Sequence, residues 1–90
     1  MPLALDHELF ETGDGFALDG RDGQLRVLFT IRRNEAKRAF GTFPGGACLE
    51  TLRAHSELIK KACRQAYEGP VSDTAIMLVI EITLEDIQRV

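Results

Sequence analysis

The chain contains two histidines, His7 and His55, and two cysteines, Cys48 and Cys63. These side chains often act in acid–base chemistry or bind transition metals. No H-x-x-x-H or C-x-x-C spacing of a zinc site is present, and no serine or threonine has a spacing to histidine and aspartate that indicates a hydrolase triad. We therefore predict no catalytic, cofactor-binding or metal-binding residues. We interpret His55 as a hydrogen-bonded histidine at the edge of a buried surface, with a functional role as the alternative.

The two cysteines are predicted to be free thiols. Cys48 precedes a predicted helix, and Cys63 lies fifteen positions further on. At a rise of ~1.5 Å per residue, a helix separates them by ~22 Å, whereas a disulfide needs about 6 Å between Cα atoms. Cys63 is predicted to be a small buried hydrophobe, and Cys48 a thiol near a loop.

A glycine-rich segment, residues 41–46, precedes the same helix. Backbone N–H groups at such a position can bind an anion. The segment lacks the lysine and the Ser/Thr of a phosphate-binding loop, and it does not follow a predicted strand. We interpret it as a structural connector.

A basic strip on the predicted helix consists of Arg53, Lys60, Lys61 and Arg64. It is the candidate partner surface, because such a strip can bind nucleic acid or an acidic protein. More basic residues lie on a predicted short helix: Arg32, Arg33, Lys37 and Arg38. Glutamates share the face of the strip, and no aromatic residue lies among its bases to stack on a nucleotide. A solvated, salt-bridged surface is therefore the favoured interpretation.

Composition indicates one folded domain over residues 1–90, with 44% hydrophobic and 28% charged residues. The net charge of −3 is unevenly distributed. Residues 1–31 carry six acids and two bases (−4), residues 32–68 eight bases and four acids (+4), and residues 69–90 four acids and one base (−3). We expect the acidic ends to lie beside the basic middle and to pair with it.

The longest apolar run, residues 75–80, is far too short to cross a bilayer. The first ten residues carry acids where a signal peptide has basic residues. These features predict a cytoplasmic protein without membrane contact.

Residues 49–68 are predicted to form one long amphipathic helix, which Gly69 and Pro70 end. At 100° per residue, one apolar face collects Leu49, Leu52, Ile59, Cys63, Ala66 and Tyr67. Burial of this face is expected to hold the helix in place.

Alternating apolar residues predict a β-hairpin with strands near residues 16–18 and 25–31 and a loop of four or five residues. Residues 34–40 are predicted to form a short helix with Asn34 as its cap and Gly41 at its end. Asp6 is predicted to cap a single helical turn, with Leu9 and Phe10 against the edge of the core.

Residues 75–82 are apolar on both faces for most of their length, which is typical of a strand in the middle of a sheet or covered on both sides. Thr83 and Asp86 then predict a capping box at the start of a final helical turn. The predicted fold is α+β, with a small antiparallel sheet of N-terminal hairpin and C-terminal strand packed on one short and one long helix.

This order of elements, with a short helix ending in Phe-Gly and a long one followed by glycine, extends over nearly the whole chain. The residues concerned are Gly23, 27–31, 35–41, Leu49, Glu50, Leu52, 59–67, Gly69, Asp86 and Ile87. In these features the chain resembles a family of small bacterial proteins known as domain of unknown function 1488. Family members commonly have a cysteine, a serine-type cap and a leucine where this chain has Phe29, Arg32 and Ala36. The resemblance implies a small antiparallel sheet with two helices on one face, and no established activity.

We therefore predict a non-enzymatic interaction or accessory protein without a cofactor, which binds an unknown protein partner or associates with itself. One alternative is a weak nucleic-acid-binding protein that uses the basic strip. The other is a small-ligand carrier or an enzyme with a concave site that sequence patterns do not reveal.

Overall fold

The computed structural model describes residues 3–5, 8–42, 46, 48–67 and 76–89. The helices and strands in these ranges are, in chain order, β1 (Phe10–Glu11), β2 (Gly15–Asp22), β3 (Leu25–Arg32), α1 (Arg33–Phe40), α2 (Leu49–Ala54), α3 (Ser56–Ala66), β4 (Met77–Glu81) and α4 (Leu84–Gln88).

The hairpin of β2 and β3 forms the centre of the sheet, whose strand order is β1-β2-β3-β4. Asp22 pairs with Leu25, so only two residues form the turn, and Gly23 has the left-handed φ of 64° that a tight hairpin turn needs. The predicted loop of four or five residues is therefore wrong. The turn-forming residues before Gly23 continue the ladder instead, with Asp19 opposite Leu28.

Strand β4 lies outside β3 and runs parallel to it, with Leu28 opposite Val79. The sheet is mixed, and the predicted purely antiparallel sheet is wrong at this point, because α1, α2 and α3 carry the chain back to the start of β3. The prediction of a central or doubly covered strand is also wrong. Residues along β4 alternate between exposed and half-buried, as in a strand with one covered face.

The hydrophobic core lies between one face of the sheet and the helices. Alternation and register place six large buried side chains on this face, Phe16, Leu18, Leu25, Val27, Phe29 and Ile31. They form one cluster with helical residues, which include Ala36, Phe40, Leu52, Ile59, Ala62, Cys63 and Ile87. The predicted α+β fold, with a small sheet packed against helices, is confirmed.

The predicted long helix is two helices separated by His55, whose φ and ψ are −109° and 26°. The apolar stripe explains the break. Between Leu52 and Ile59, the positions on the buried arc are His55 and Ser56, so no large apolar side chain holds this part of the helix against the sheet. The prediction of one continuous helix is therefore wrong, although Leu52 and Ile59 are both buried as predicted.

Helix α3 ends at Ala66, because Tyr67 has an extended backbone with ψ of 117°. The predicted helix end at residue 68 and its stop residues Gly69 and Pro70 lie outside the described residues, as does the predicted turn at Asp6. Leu9 is buried in the core as expected. Phe10 is exposed in β1, so the expectation that it lies against the core is wrong.

Helix α1 begins one residue earlier than predicted, directly after β3. Asn34 is not its cap, because the N-cap residue is Arg32 and the N–H of Arg33 donates to the carbonyl of Asp14 at 2.9 Å. The helix ends at Phe40 as predicted.

The predicted capping box of α4 is confirmed. The N–H of Thr83 donates to Asp86 Oδ2 at 2.9 Å, and the N–H of Asp86 donates to Thr83 Oγ1 at 3.4 Å. The N–H of Leu84 donates to Glu35 Oε1 of α1 at 2.9 Å, so the start of α4 is also fixed to α1.

Replacement of Ile59 tests this packing. Ile59 is fully buried, so Ile59→Ala should lower the free energy of unfolding by about 2–5 kcal/mol, measured by urea denaturation. The exposed Lys61 is the matched control on the same helix, and Lys61→Ala should change the value by less than about 0.5 kcal/mol. Equal losses in the two variants would contradict the orientation of α3.

Candidate interaction surface

The side of the sheet away from the helices carries a mixed polar and apolar surface, which we call the open face. Register and alternation assign to it Phe10, Ala17, Asp19, Arg21, Arg26, Leu28, Thr30, Arg32, Met77, Val79 and Glu81. Within the described residues, the helices contribute their buried side chains to the opposite face. The open face is therefore where this sheet can meet another molecule.

Two cross-strand ion pairs neutralise most of the charge on the open face. Arg26 makes a bidentate contact with Asp19, with both N···O distances 2.9 Å, and this hydrogen bond and the charge of Asp19 raise the pKa of Arg26. Arg32 Nε lies 2.6 Å from Glu81 Oε1. Because these groups are exposed, each pair contributes at most about 1 kcal/mol to stability. Their main effect is to fix the positions of the charged side chains along β3.

The start of β4 exposes an apolar patch. Ile76, Met77 and Val79 are 82%, 45% and 58% exposed. A single exposed hydrophobic residue is ordinary, but three within four consecutive positions concentrate apolar surface at one edge of the sheet and favour contact with a partner. Alternation places Met77 and Val79 on the open face and Ile76 on the other side. We call these three residues the β4 patch.

The backbone of β4 also presents hydrogen-bonding groups beside the β4 patch. The N–H of Arg26 donates to the carbonyl of Ile76 at 3.1 Å, and the N–H of Ile82 donates to the carbonyl of Thr30 at 2.7 Å. Along a strand, the backbone N–H and C=O groups of successive residues point to opposite sides. Those of Met77, Val79 and Glu81 therefore point away from β3. In the described part of the chain, no strand pairs with β4 on that side.

The structure places the predicted basic strip on the exposed side of α2 and α3, where Arg53, Lys61 and Arg64 are exposed and Lys60 is half-buried. Arg53 Nε donates to the carbonyl of Leu9 at 3.0 Å, and its Nη2 lies 3.8 Å from Glu8 Oε2. Arg53 is thus held by the N-terminal segment. The use of this strip as a partner surface stays a prediction.

The acidic and basic segments of the chain contact each other in the fold. Among the described residues, acidic side chains of the chain ends contact basic side chains of the middle in three pairs, Glu8 with Arg53, Glu11 with Arg33, and Glu81 with Arg32. These pairs confirm the expectation that the acidic ends lie beside the basic middle.

A polar groove of about 620 Å³ lies where β3 passes into α1. Its wall includes Arg33, which contacts Glu11 and the carbonyl of Thr12, both at 3.4 Å, and lies over the ring of Phe16 at 5.8 Å. The guanidinium groups of Arg33 and Arg32 are both in ion pairs. The groove therefore supports a ligand site less strongly than the β4 patch supports a partner.

Of the histidines and cysteines singled out in the sequence, His55, Cys48 and Cys63 lie within the described residues, and His7 does not. The ring of His55 stacks on Phe40 with centroids 5.8 Å apart, at the edge of the core as predicted. Among the described residues, no group of three or more His, Cys, Asp or Glu side chains could hold a metal ion. In the same residues, no helix is long and apolar enough to cross a membrane.

Comparison with known proteins matched no family model, no curated protein and no solved structure. The resemblance to domain of unknown function 1488 therefore stays a prediction.

Both cysteines are free, as predicted, but they differ in environment. Cys48 is exposed, and a hydrogen bond with Thr51, whose Oγ1 lies 3.3 Å from the sulfur, lowers its pKa. Cys63 is buried in the core, and burial raises its pKa to about 12.

Thiol labelling should separate the two cysteines. At neutral pH, a chromogenic disulfide reagent should react rapidly with one thiol per folded chain and with two in urea, because Cys63 is protonated and inaccessible in the fold. Cys48→Ser should remove the rapid phase, and Cys63→Ser should keep it. Rapid labelling of two thiols in the folded chain would contradict the buried position of Cys63.

Tyr67 fixes the end of α3 to the hairpin turn. Its hydroxyl donates a 2.5 Å hydrogen bond to Asp22 Oδ2. Desolvation, with the hydrogen bond and the negative charge of Asp22, raises the pKa of Tyr67 to about 12. The contact joins two elements that are far apart in the sequence.

Tyr67 can be titrated directly, because the chain has one tyrosine and no tryptophan. Absorbance at ~295 nm should give a midpoint near 12 in the folded chain, against a pKa of ~10 for free tyrosine. Asp22→Asn should move the midpoint toward 10. Because the folded-state pKa is the higher one, this contribution to stability is complete below pH ~10 and is lost as pH rises through about 12. The same midpoint in folded chain and in urea would contradict the contact.

Proposed function

We propose that this chain is a small cytoplasmic bacterial protein that acts as a non-enzymatic interaction module and binds a protein partner along the edge of β4. The observation that supports it is the coincidence of the β4 patch with the outward-pointing backbone groups of the same strand. The cytoplasmic assignment is supported by the two free thiols, which suit a reducing compartment.

Strand addition is the binding mode that this edge favours. A partner strand placed beside β4 would accept and donate hydrogen bonds at Met77, Val79 and Glu81. The same strand would cover the apolar side chains of Met77 and Val79, and apolar burial is worth about 25 cal/mol per Å² before the cost of association. Backbone pairing supplies affinity, and the exposed side chains supply specificity.

The rival partners have weaker support from the geometry. Nucleic acid needs basic groups that can reach phosphates, yet Arg53 contacts Leu9 and Glu8. A small ligand would use the polar groove, where Arg32 and Arg33 are already in ion pairs with the protein's own carboxylates.

Photo-crosslinking in cells tests the proposal. A photoreactive amino acid at position 77 should give covalent protein adducts, whereas the same amino acid at the exposed position 65 on α3 should not. Val79→Lys should abolish the adducts at position 77, because the ammonium group would have to be desolvated under the partner strand. Its thermal unfolding should stay near that of the parent chain, since Val79 is 58% exposed.

The crosslinking results either support or contradict the proposed binding surface. Adducts at position 77 that disappear with Val79→Lys support the proposal. Their absence, or equal labelling at positions 65 and 77, would show that the edge of β4 is not the binding surface.

A further inference from the structure

We infer that the partner strand is β4 of a second copy of this chain, paired antiparallel about a two-fold axis at Val79, so that two sheets become one. The inference depends on the proposed use of the β4 edge, and it adds the identity and register of the partner. It follows from the backbone directions, the side chains and the charges of β4.

The backbone of β4 is self-complementary in this register. A two-fold axis at Val79 places Val79 opposite its own copy and Met77 opposite Glu81 of the second copy. These three residues are the ones whose N–H and C=O groups point away from β3. In an antiparallel pair, residues of this kind exchange two hydrogen bonds with the residue opposite, so all three are satisfied together. A closed two-fold pair is also the commonest form of homo-oligomer.

Other registers satisfy fewer groups. Moving the second copy by two residues in either direction leaves only two of the three outward-pointing residues paired within β4, and one of these shifts places Met77 opposite Thr83, after the strand has ended. A further shift in that direction places the two Glu81 carboxylates opposite each other, which is unfavourable. The Val79-centred register is therefore the one that the strand favours.

The side chains also match across the axis. On the open face, the two Val79 side chains meet, and Met77 lies beside the aliphatic part of Glu81 of the second copy. On the core face, Leu78 lies opposite Ile80 of the second copy, and both are already packed against the hydrophobic core. The two cores would then be continuous across the junction.

The charge on β4 does not protect its edge. The edges of sheets are commonly blocked by lysine or another charged side chain, by proline or by a bulge. Glu81 is the only charged residue in β4, and Arg32 holds its carboxylate at 2.6 Å, toward β3 and away from the edge. In the paired state Glu81 can keep Arg32, and no like charges lie opposite each other.

The contact is small and self-limiting. A strand of five residues spans ~17 Å, so the interface is smaller than the 1,200–2,000 Å² of a typical stable complex. We therefore expect a dimer that dissociates on dilution. Once paired, both β4 edges are used, so this contact does not extend into a fibre.

Sedimentation velocity of the purified full chain over a range of concentrations provides the first test. The sedimentation coefficient should rise from monomer to dimer and no further. Val79→Lys should weaken dimerisation by roughly tenfold or more, because two ammonium groups would meet at the axis. The matched control Gln65→Lys, on the exposed side of α3, should leave it unchanged.

Thiol crosslinking in a Cys48→Ser background tests the register without relying on Val79→Lys. Val79→Cys should crosslink to itself with a short thiol-to-thiol reagent, because paired Cα atoms lie ~5.5 Å apart. Glu81→Cys alone should not, since its two copies would be four residues, or ~14 Å, apart. A mixture of Met77→Cys and Glu81→Cys chains should crosslink to each other.

A chain that stays monomeric at every concentration, or a dimer that Val79→Lys leaves intact, would overturn the inference. So would efficient self-crosslinking of Glu81→Cys. If the purified chain is monomeric while position 77 gives adducts with a different protein in cells, self-pairing is wrong and the proposed function survives. If position 77 gives no adducts of any kind in cells, the proposed function fails, whatever the purified chain does.

Discussion

Phe16, Phe29 and Phe40 are fully buried between the sheet and the helices, and the rest of the structure depends on this single apolar layer. A chain of ninety residues buries only one such layer, so the described helices cover one face of the sheet. In β4, the side chains on that face are half-buried and those on the other face are exposed. Strands β2 and β3 therefore place their largest apolar residues on the same side. Gly20 shows how closely this side is packed, because a Cβ there would lie 2.7 Å from Leu5 Cδ2.

One-sided packing also explains why the open face is held by polar contacts. Arg26 with Asp19 joins β2 to β3, and Arg32 with Glu81 joins β3 to β4. These pairs add little stability, but they give the charged side chains fixed positions on an otherwise uncovered surface. The apolar side chains of β4 are left as the part of this surface that gains most from contact with another protein.

The sequence was sufficient where a local pattern determines structure. The period of the apolar residues identified the buried sides of α2 and α3, the three-residue spacing of Thr83 and Asp86 identified the capping box, and the helix geometry excluded a disulfide. It failed where the outcome depends on partners distant in the chain. An apolar run such as residues 76–82 does not show whether a second layer of helices exists, so neither the edge position of β4 nor its parallel direction was predictable.

The same limit applies to the candidate surface. Basic residues are visible in a sequence, but their neighbours are not, so the engagement of Arg53 by Leu9 and Glu8 emerged only from the fold. The β4 patch was hidden because its residues looked like core. The break at His55, in contrast, had a local signal, since two polar residues interrupt the buried arc there.

The parallel pairing of β3 with β4 has a kinetic consequence. All of α1, α2 and α3 lie between the two strands, so the pairing closes a long loop, whereas the β2–β3 hairpin closes a turn of two residues. Loop-closure entropy places such distant pairing late in folding, after the local contacts have formed. During synthesis, the edge of β3 that pairs with β4 would stay unpaired until β4 has been made, and an unpaired strand edge promotes aggregation.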